Sequence, residues 1–220
     1  MRGQTGFTLV ELMIVATVVS IVAGIAVPNL LSSRAVANER AVVASLRTLS
    51  TAQTQVVTRA VEDTDHDGMG EALGLDQLSG LRILADGQLL TPSFLPQSLG
   101  TLGANGLCQS RGYLLAMYLP DASGVGQLAT AANAGNVDAD RAEIVWSCLA
   151  WPVSRGRTGT AAFFVNQTGE ILVAKGATYD GPSQVPPAGA ALLGGAANEL
   201  GGQLALDVPG ADGNLWRPLR

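Results

Sequence analysis

The chain has 220 residues, and its 18 acidic and 13 basic side chains give a net charge of −5. Apolar residues make up 47% and charged residues 14% of the chain, which excludes a wholly disordered protein, and the acidic balance argues against a nucleic-acid partner. One His and two Cys exclude most zinc, haem and iron–sulfur sites, since these need several such ligands.

The first long feature of the chain is an apolar segment at residues 7–27, which contains a single charged side chain, Glu11. A helix of this length is about 30 Å long, the thickness of the hydrocarbon core of a bilayer. Arg2 in the polar leader before it predicts a cytoplasmic N-terminus. A cleaved secretory signal is the alternative, although its apolar region usually spans only about 7–15 residues.

Glu11 is unusual, because a carboxylate within an apolar span is costly and calls for a partner. One interpretation is that Glu11 reaches the membrane interface, since it lies one turn inside the span. The other is that it pairs with a positive group on another chain. If the chain is cleaved after Gly6, the new α-amino group of Phe7 in a neighbouring subunit supplies that charge.

The stretch GFTLVEL at residues 6–12 resembles the processing site of type IV pilins and of type II secretion pseudopilins. The resemblance implies that a prepilin peptidase cleaves after Gly6 and N-methylates Phe7. It also implies that Glu11 neutralises the Phe7 amine of an adjacent subunit during assembly. Pro28 lies where these families carry a proline that loosens the helix. The strong part of the resemblance covers roughly residues 1–60, with residues 1–6 as the leader.

After the transmembrane or assembly segment, residues 7–28, the pattern becomes amphipathic over residues 29–61. Apolar side chains recur at three- and four-residue steps, with Gln53 as the exception. The spacing predicts one long helix from Phe7 to about Val61, bent or locally melted at Pro28 because proline lacks a backbone donor. The stripe consists of Val42, Leu46, Leu49, Val56 and Ala60.

An acidic turn opens the loop-rich region predicted at residues 62–111. Asp63, Asp65 and Asp67, followed by Gly68, match the first half of a calcium-binding loop. An EF-hand needs a Glu at the twelfth position, where this chain has Gly74, so Glu71 at the ninth position is the candidate that would complete a Ca²⁺ site. The alternative is a solvated turn that caps the helix and binds no metal.

Strand signals follow at residues 112–175. Runs rich in β-branched and aromatic residues lie at 112–119, 143–151, 161–165 and 170–174, and the last two flank a four-residue link that predicts a hairpin. Three or four antiparallel strands with one apolar face on the helix make an α+β fold, which the pilin resemblance also implies. Residues 176–220, rich in Gly, Ala and Pro, are predicted to be a tail or covering loop with a short strand near residues 204–206.

Cys108 and Cys148 are the two cysteines of the chain. Both lie in or beside predicted strands, and pairs of cysteines in exported domains often form a disulfide. The sequence therefore favours a disulfide between them, with two buried free thiols as the alternative.

No known catalytic motif stands out, so we expect a structural protein rather than an enzyme. The first hypothesis is a subunit of an extracytoplasmic filament, made as an inner-membrane precursor and assembled with copies of itself by an inner-membrane platform. That filament is a type IV pilus or a type II secretion pseudopilus, whose major subunits use calcium. The alternatives are a membrane-anchored binding module that does not polymerise and a secreted enzyme with a cleaved signal.

Overall fold

The computed structural model describes residues 7–219, so the predicted leader, residues 1–6, which includes Gly6, lies outside the described residues. Helix α1 spans Leu9–Thr58 and is capped at its start by Thr8. It continues through Pro28 without a break, although proline removes the hydrogen bond to the carbonyl of Gly24. The local melting predicted at Pro28 is therefore not observed, and the helix ends three residues before Val61.

The two halves of α1 differ in burial. Every residue from 7 to 34 is exposed, whereas one stripe of the second half packs on the rest of the chain. This is the division expected from the pattern, since a helix that is apolar all round needs partners beyond one sheet. The buried residues of the stripe are Ala35, Val42, Val43, Leu46, Leu49, Ala52, Gln53 and Val56.

Gln53 breaks the apolar stripe because it joins the helix to the following loop. Its Nε2 donates to the carbonyl of Leu73 at 2.7 Å, and its Oε1 accepts from the backbone N–H of Leu73 at 3.0 Å. Gln53 is fully buried, so both backbone groups of Leu73 depend on this one amide.

Replacing Gln53 by Leu is expected to destabilise the fold by about 2–3 kcal/mol, because the N–H and C=O of Leu73 would stay buried without partners. Denaturant titration of the full chain in detergent measures the loss. Thr54→Leu is the matched control, since Thr54 is exposed on the same helix. An equal effect of the two substitutions would contradict the assigned role of Gln53.

Short elements fill the region after α1. Helix α2 spans Leu75–Leu78 and α3 spans Gln97–Gly100. Strands β1, β2 and β3 then cover Cys108–Ser110, Tyr113–Pro120 and Gly126–Leu128. A 3₁₀ helix at Ala131–Asn136 and helix α4 at Ala139–Ala142 lead to β4 at Ser147–Pro152. The strand predicted to begin at Glu143 therefore begins four residues later.

Strands β5 (Ala162–Asn166) and β6 (Ile171–Ala174) form the predicted hairpin. The N–H of Gly169 donates to the carbonyl of Asn166 at 2.9 Å, and Gly169 supplies the positive φ of +75° that closes the link. Strands β7 (Leu192–Leu193), β8 (Gln203–Leu204), β9 (Val208–Pro209) and β10 (Leu215–Pro218) follow in the C-terminal region.

Within residues 7–219 the main sheet has eight strands in the order β1-β2-β4-β5-β6-β10-β9, with β3 beside β2, and every pairing is antiparallel. The second half of α1 packs on one face, in a cluster that includes Leu46, Leu49, Phe163 and Val165. The α+β prediction of a long helix on an antiparallel sheet is confirmed.

The opposite face of the sheet is also buried, which the sequence did not lead us to expect. Every residue of β2, β4, β5 and β6 is buried, as strands covered on both sides must be. The second cover is the C-terminal region, predicted as a tail or loop. It contributes a hydrophobic cluster with β2, β4, β5 and β6 that includes Ala188, Ala190, Leu192, Leu200 and Trp216. Strand β10 also pairs with β6.

Cys108 and Cys148 are buried free thiols, so the predicted disulfide is not formed. They lie on β1 and β4, which flank β2, with Cys108 opposite Leu115 and Cys148 opposite Met117. Two strand spacings of about 4.8 Å exceed the separation that a disulfide can bridge. Burial raises the pKa of the Cys108 thiol to about 11 and raises the pKa of the Cys148 thiol further, so both stay protonated at neutral pH.

Candidate functional site

The exposed half of α1 is a continuous apolar surface, in which large hydrophobic side chains from Phe7 to Leu31 are exposed. Within residues 7–219, α1 alone is long and apolar enough to cross a membrane, and its most apolar window has no buried residue. Phe7 is 82% exposed and Ile25 is 66% exposed. A surface of this size on a single chain marks a contact with lipid or with other proteins.

Glu11 closes a capping box at the start of this helix. Its Oε2 accepts hydrogen bonds from the backbone N–H of Thr8 at 2.9 Å and from Thr8 Oγ1 at 2.8 Å, and its own N–H donates to Thr8 Oγ1 at 3.2 Å. Within the described part of the chain, no basic side chain forms an ion pair with Glu11. The carboxylate is therefore held in place by the helix start, and its charge is left without a positive partner.

The acidic turn after α1 is an ordered loop. The N–H of Gly68 donates to Asp63 Oδ2 at 3.2 Å, that of Asp67 to Asp65 Oδ1 at 3.2 Å and that of Met69 to Asp67 Oδ1 at 2.7 Å. Gly68 adopts a φ of +92°, as the sharp turn requires. Carboxylate oxygens of the three Asp lie within 4.8 Å of one another, as the calcium-loop pattern predicts.

Glu71 does not join this group, in contrast to the expectation from the sequence. It is 5% exposed, and its Oε1 accepts from the backbone N–H of Thr64 at 2.7 Å and also from Thr64 Oγ1. The backbone N–H of Glu71 in turn donates to the carbonyl of Glu62 at 3.0 Å. These bonds hold Glu71 against the loop, with its Oε1 on Thr64 and its Oε2 buried without a hydrogen-bond partner.

Asp140 and Glu143 approach the loop from the far side, and sequence reasoning missed them. Carboxylate oxygens of Asp65, Asp140 and Glu143 lie within 4.8 Å of one another. Asp140 belongs to α4 and Glu143 directly follows it. The available signal was an acidic pair three residues apart, a spacing that places both side chains on one face of a helical turn. Glu143 was hidden because it was assigned to a strand.

The pKa values of two carboxyl groups in this cluster, those of Asp65 and Glu143, are raised. The pKa of Glu143 is raised, chiefly by loss of hydration and then by the negative charges of its neighbours Asp67, Asp65, Asp140 and Glu71. Loss of hydration and the neighbouring Asp67 and Asp140 also raise the pKa of Asp65. Both shifts disfavour the ionised form, as expected where carboxylates lie close to one another and partly out of water.

Comparison with known proteins agrees with the N-terminal pattern. Residues 1–27 match the family model described as the prokaryotic N-terminal methylation motif. Over 46 residues, 21% of this chain, the sequence is 48% identical to the type IV wide pilus major component PilA4 of Thermus thermophilus. The match spans 35% of that relative, about a third of its length. No solved structure matches the chain.

The residues that match the methylation motif are largely those of the exposed apolar helix, since residues 1–27 include the start of α1 and Glu11. Gly6, the residue expected before the cleaved bond, lies within the match but outside the described residues. The chain therefore carries the prokaryotic N-terminal methylation motif at the start of a long apolar helix, resembles a type IV pilus component over that segment, and continues into an antiparallel sheet.

Proposed function

We propose that this protein is a structural subunit of an extracytoplasmic type IV pilus-like filament that polymerises through its N-terminal helix. The observation that carries the proposal is the division of α1, whose second half packs on the chain's own sheet while every residue from 7 to 34 is exposed. Similarity to a pilus component over the N-terminal segment supports the same role. Pilins are structural subunits, so no catalysis is proposed.

In this proposal the exposed helix has two successive environments. The precursor lies in the bacterial inner membrane with its leader in the cytoplasm, a prepilin peptidase removes residues 1–6, and the same enzyme methylates Phe7. An inner-membrane assembly platform then transfers the helix from lipid to a bundle of copies. Repeated head-to-tail contacts that do not close into a ring extend into a helical filament at the periplasm or cell surface.

Packing rather than the hydrophobic effect has to drive that transfer, because lipid tails are as apolar as the helix itself. Small residues in the exposed half, including Ala16, Ala23, Gly24 and Ala26, let neighbouring helices approach closely. The charge of Glu11 is then the strongest specific determinant in the segment, because it is the only charge of residues 7–27 and gains by meeting a Phe7 amine.

A type II secretion pseudopilus is the second candidate filament. The acidic loop favours it, since the major pseudopilins use calcium and this loop groups three carboxylates within 4.8 Å. Both filaments use the same processing and the same helix. They are distinguished by whether loss of the gene removes surface fibres or stops protein export.

N-terminal sequencing and intact mass of the cellular protein test the proposal, with a strain that lacks the prepilin peptidase as control. We expect sheared filaments whose subunits begin at methylated Phe7, and an uncleaved chain in the control strain. A membrane monomer that retains Met1 in both strains would indicate an anchored module instead. A mature start near Asn29 would indicate a secreted protein with a cleaved signal.

A further inference from the structure

The acidic loop after α1 and the segment around α4 meet although about 75 residues separate them in the sequence. A backbone hydrogen bond from the N–H of Ala72 to the carbonyl of Ala142, at 2.9 Å, fixes the two segments beside each other. Asp65 belongs to both groups of carboxylates, with Asp63 and Asp67 on one side and with Asp140 and Glu143 on the other. The two groups therefore form one acidic cluster, which we call the loop–α4 cluster.

Three buried carboxylate oxygens in or beside this cluster accept no hydrogen bond. Asp63 Oδ1 and Glu143 Oε1 are buried and accept no hydrogen bond. Glu71 is 5% exposed, its carboxylate is directed into the loop at Thr64, and its Oε2 is likewise buried without a partner. Native proteins leave few such groups unpaired, because a buried unpaired carboxylate is costly.

Within residues 7–219, no Lys or Arg forms an ion pair with a carboxylate of the cluster. The ion pairs found within residues 7–219 are Arg82 with Asp76 and Arg217 with Asp207, and neither involves the cluster. Five carboxylates are thus linked through Asp65, and none of them forms an ion pair within the described part of the chain. A bound cation would satisfy the orphaned oxygens and remove the mutual repulsion together.

We infer that the loop–α4 cluster is a binding site for a hard divalent cation, Ca²⁺, in which Asp140 and Glu143 supply the carboxylates that the loop itself lacks. Ca²⁺ takes six to eight oxygen ligands in flexible geometry, which suits several carboxylates from two segments. Mg²⁺ requires a stricter octahedron and retains its water. Glu71 holds Thr64 and adds negative charge rather than replacing the missing twelfth-position ligand.

The site would connect parts of the fold that are distant in the sequence. The loop directly follows α1, whereas Glu143 lies four residues before β4 in the centre of the sheet. A cation between them would fasten the end of the helix to the start of that strand. Cation binding would therefore stabilise the sheet domain, and this consequence holds whichever filament the protein forms.

Thermal unfolding of the full chain in detergent, after treatment with EGTA, tests the inference. Adding Ca²⁺ at about 100 times its dissociation constant is expected to raise the unfolding midpoint by about 5–10 °C. Glu143→Gln and Asp140→Asn are each expected to weaken the apparent Ca²⁺ affinity at least tenfold. Asp86→Asn is the matched control, since Asp86 is an exposed carboxylate outside the cluster and should leave the shift unchanged.

Two further salts distinguish specific Ca²⁺ binding from general screening of the repulsion between carboxylates. KCl is added at the same ionic strength and MgCl₂ at the same concentration. The inference expects a much smaller shift with either salt. Without Ca²⁺, Glu143→Gln is expected to unfold at or above the wild-type midpoint, because one repulsive charge is gone, which distinguishes lost binding from a damaged fold. No shift with Ca²⁺, an equal shift with KCl, or an unchanged Ca²⁺ response in both cluster variants would overturn the inference.

Discussion

Replacing Glu11 by Ala is expected to leave cleavage after Gly6 intact and to reduce incorporation into filaments at least tenfold. The carboxylate lies one turn beyond the bond at which we propose cleavage, so its loss should not prevent peptidase action. In the proposed filament, its absence would leave the Phe7 amine of a neighbour as an unpaired charge among apolar helices, at a cost of about 3–5 kcal/mol. Immunoblots of sheared filaments and of the membrane fraction measure the two effects separately.

The capping box in the structure provides the matched control. Glu11→Ala also removes the hydrogen bonds to Thr8, and helix capping alone is worth about 1 kcal/mol. Thr8→Val removes the hydroxyl but keeps the charge, so filaments should form nearly as in the wild type. Glu11→Gln keeps an acceptor without the charge and should fail like Glu11→Ala. Normal filaments from Glu11→Ala would refute the pairing role.

Trp216→Ala is expected to destabilise the sheet domain by about 3–5 kcal/mol, the usual cost of removing a buried aromatic side chain. Trp216 is fully buried, and its ring packs edge-on against Phe164 with centroids 6.1 Å apart. Its Nε1 donates to Asp212 Oδ1 at 3.1 Å, a bond that is lost as well. Denaturant unfolding of the full chain in detergent, followed by near-UV circular dichroism, measures the change.

Leu215→Ala on the same strand is the control, because Leu215 is 43% exposed and should cost less than about 1 kcal/mol. The comparison tests whether residues 176–219 belong to the folded core. If Trp216→Ala were no more destabilising than Leu215→Ala, the C-terminal region would be a dispensable covering and not the second hydrophobic layer of the sheet.

The features that the sequence predicted well are local. The apolar span, the long helix, the stripe around Leu46 and Leu49, and the hairpin closed by Gly169 follow from periodicity and turn residues within short windows. The processing motif is local as well, since its residues are consecutive. The three Asp of the acidic loop meet for the same reason, because alternate positions in one turn bring their oxygens together.

The remaining features depend on which segments become neighbours in space, and this information is not contained in any short stretch of sequence. Cys108 and Cys148 fit a disulfide by context, but β2 passes between their strands. Glu143 could be recognised as part of an acidic cluster only once the structure placed it beside Asp65 of the loop.

The C-terminal region looked like a tail because its Ala and Gly carry no strong periodicity. Yet small side chains such as Ala188 and Ala190 allow its backbone to lie close against a sheet that is apolar on both faces. Local conformational propensity depends on neighbouring residues in the sequence, whereas burial depends on which two surfaces come into contact. The second layer of the core could therefore be recognised only from the tertiary structure.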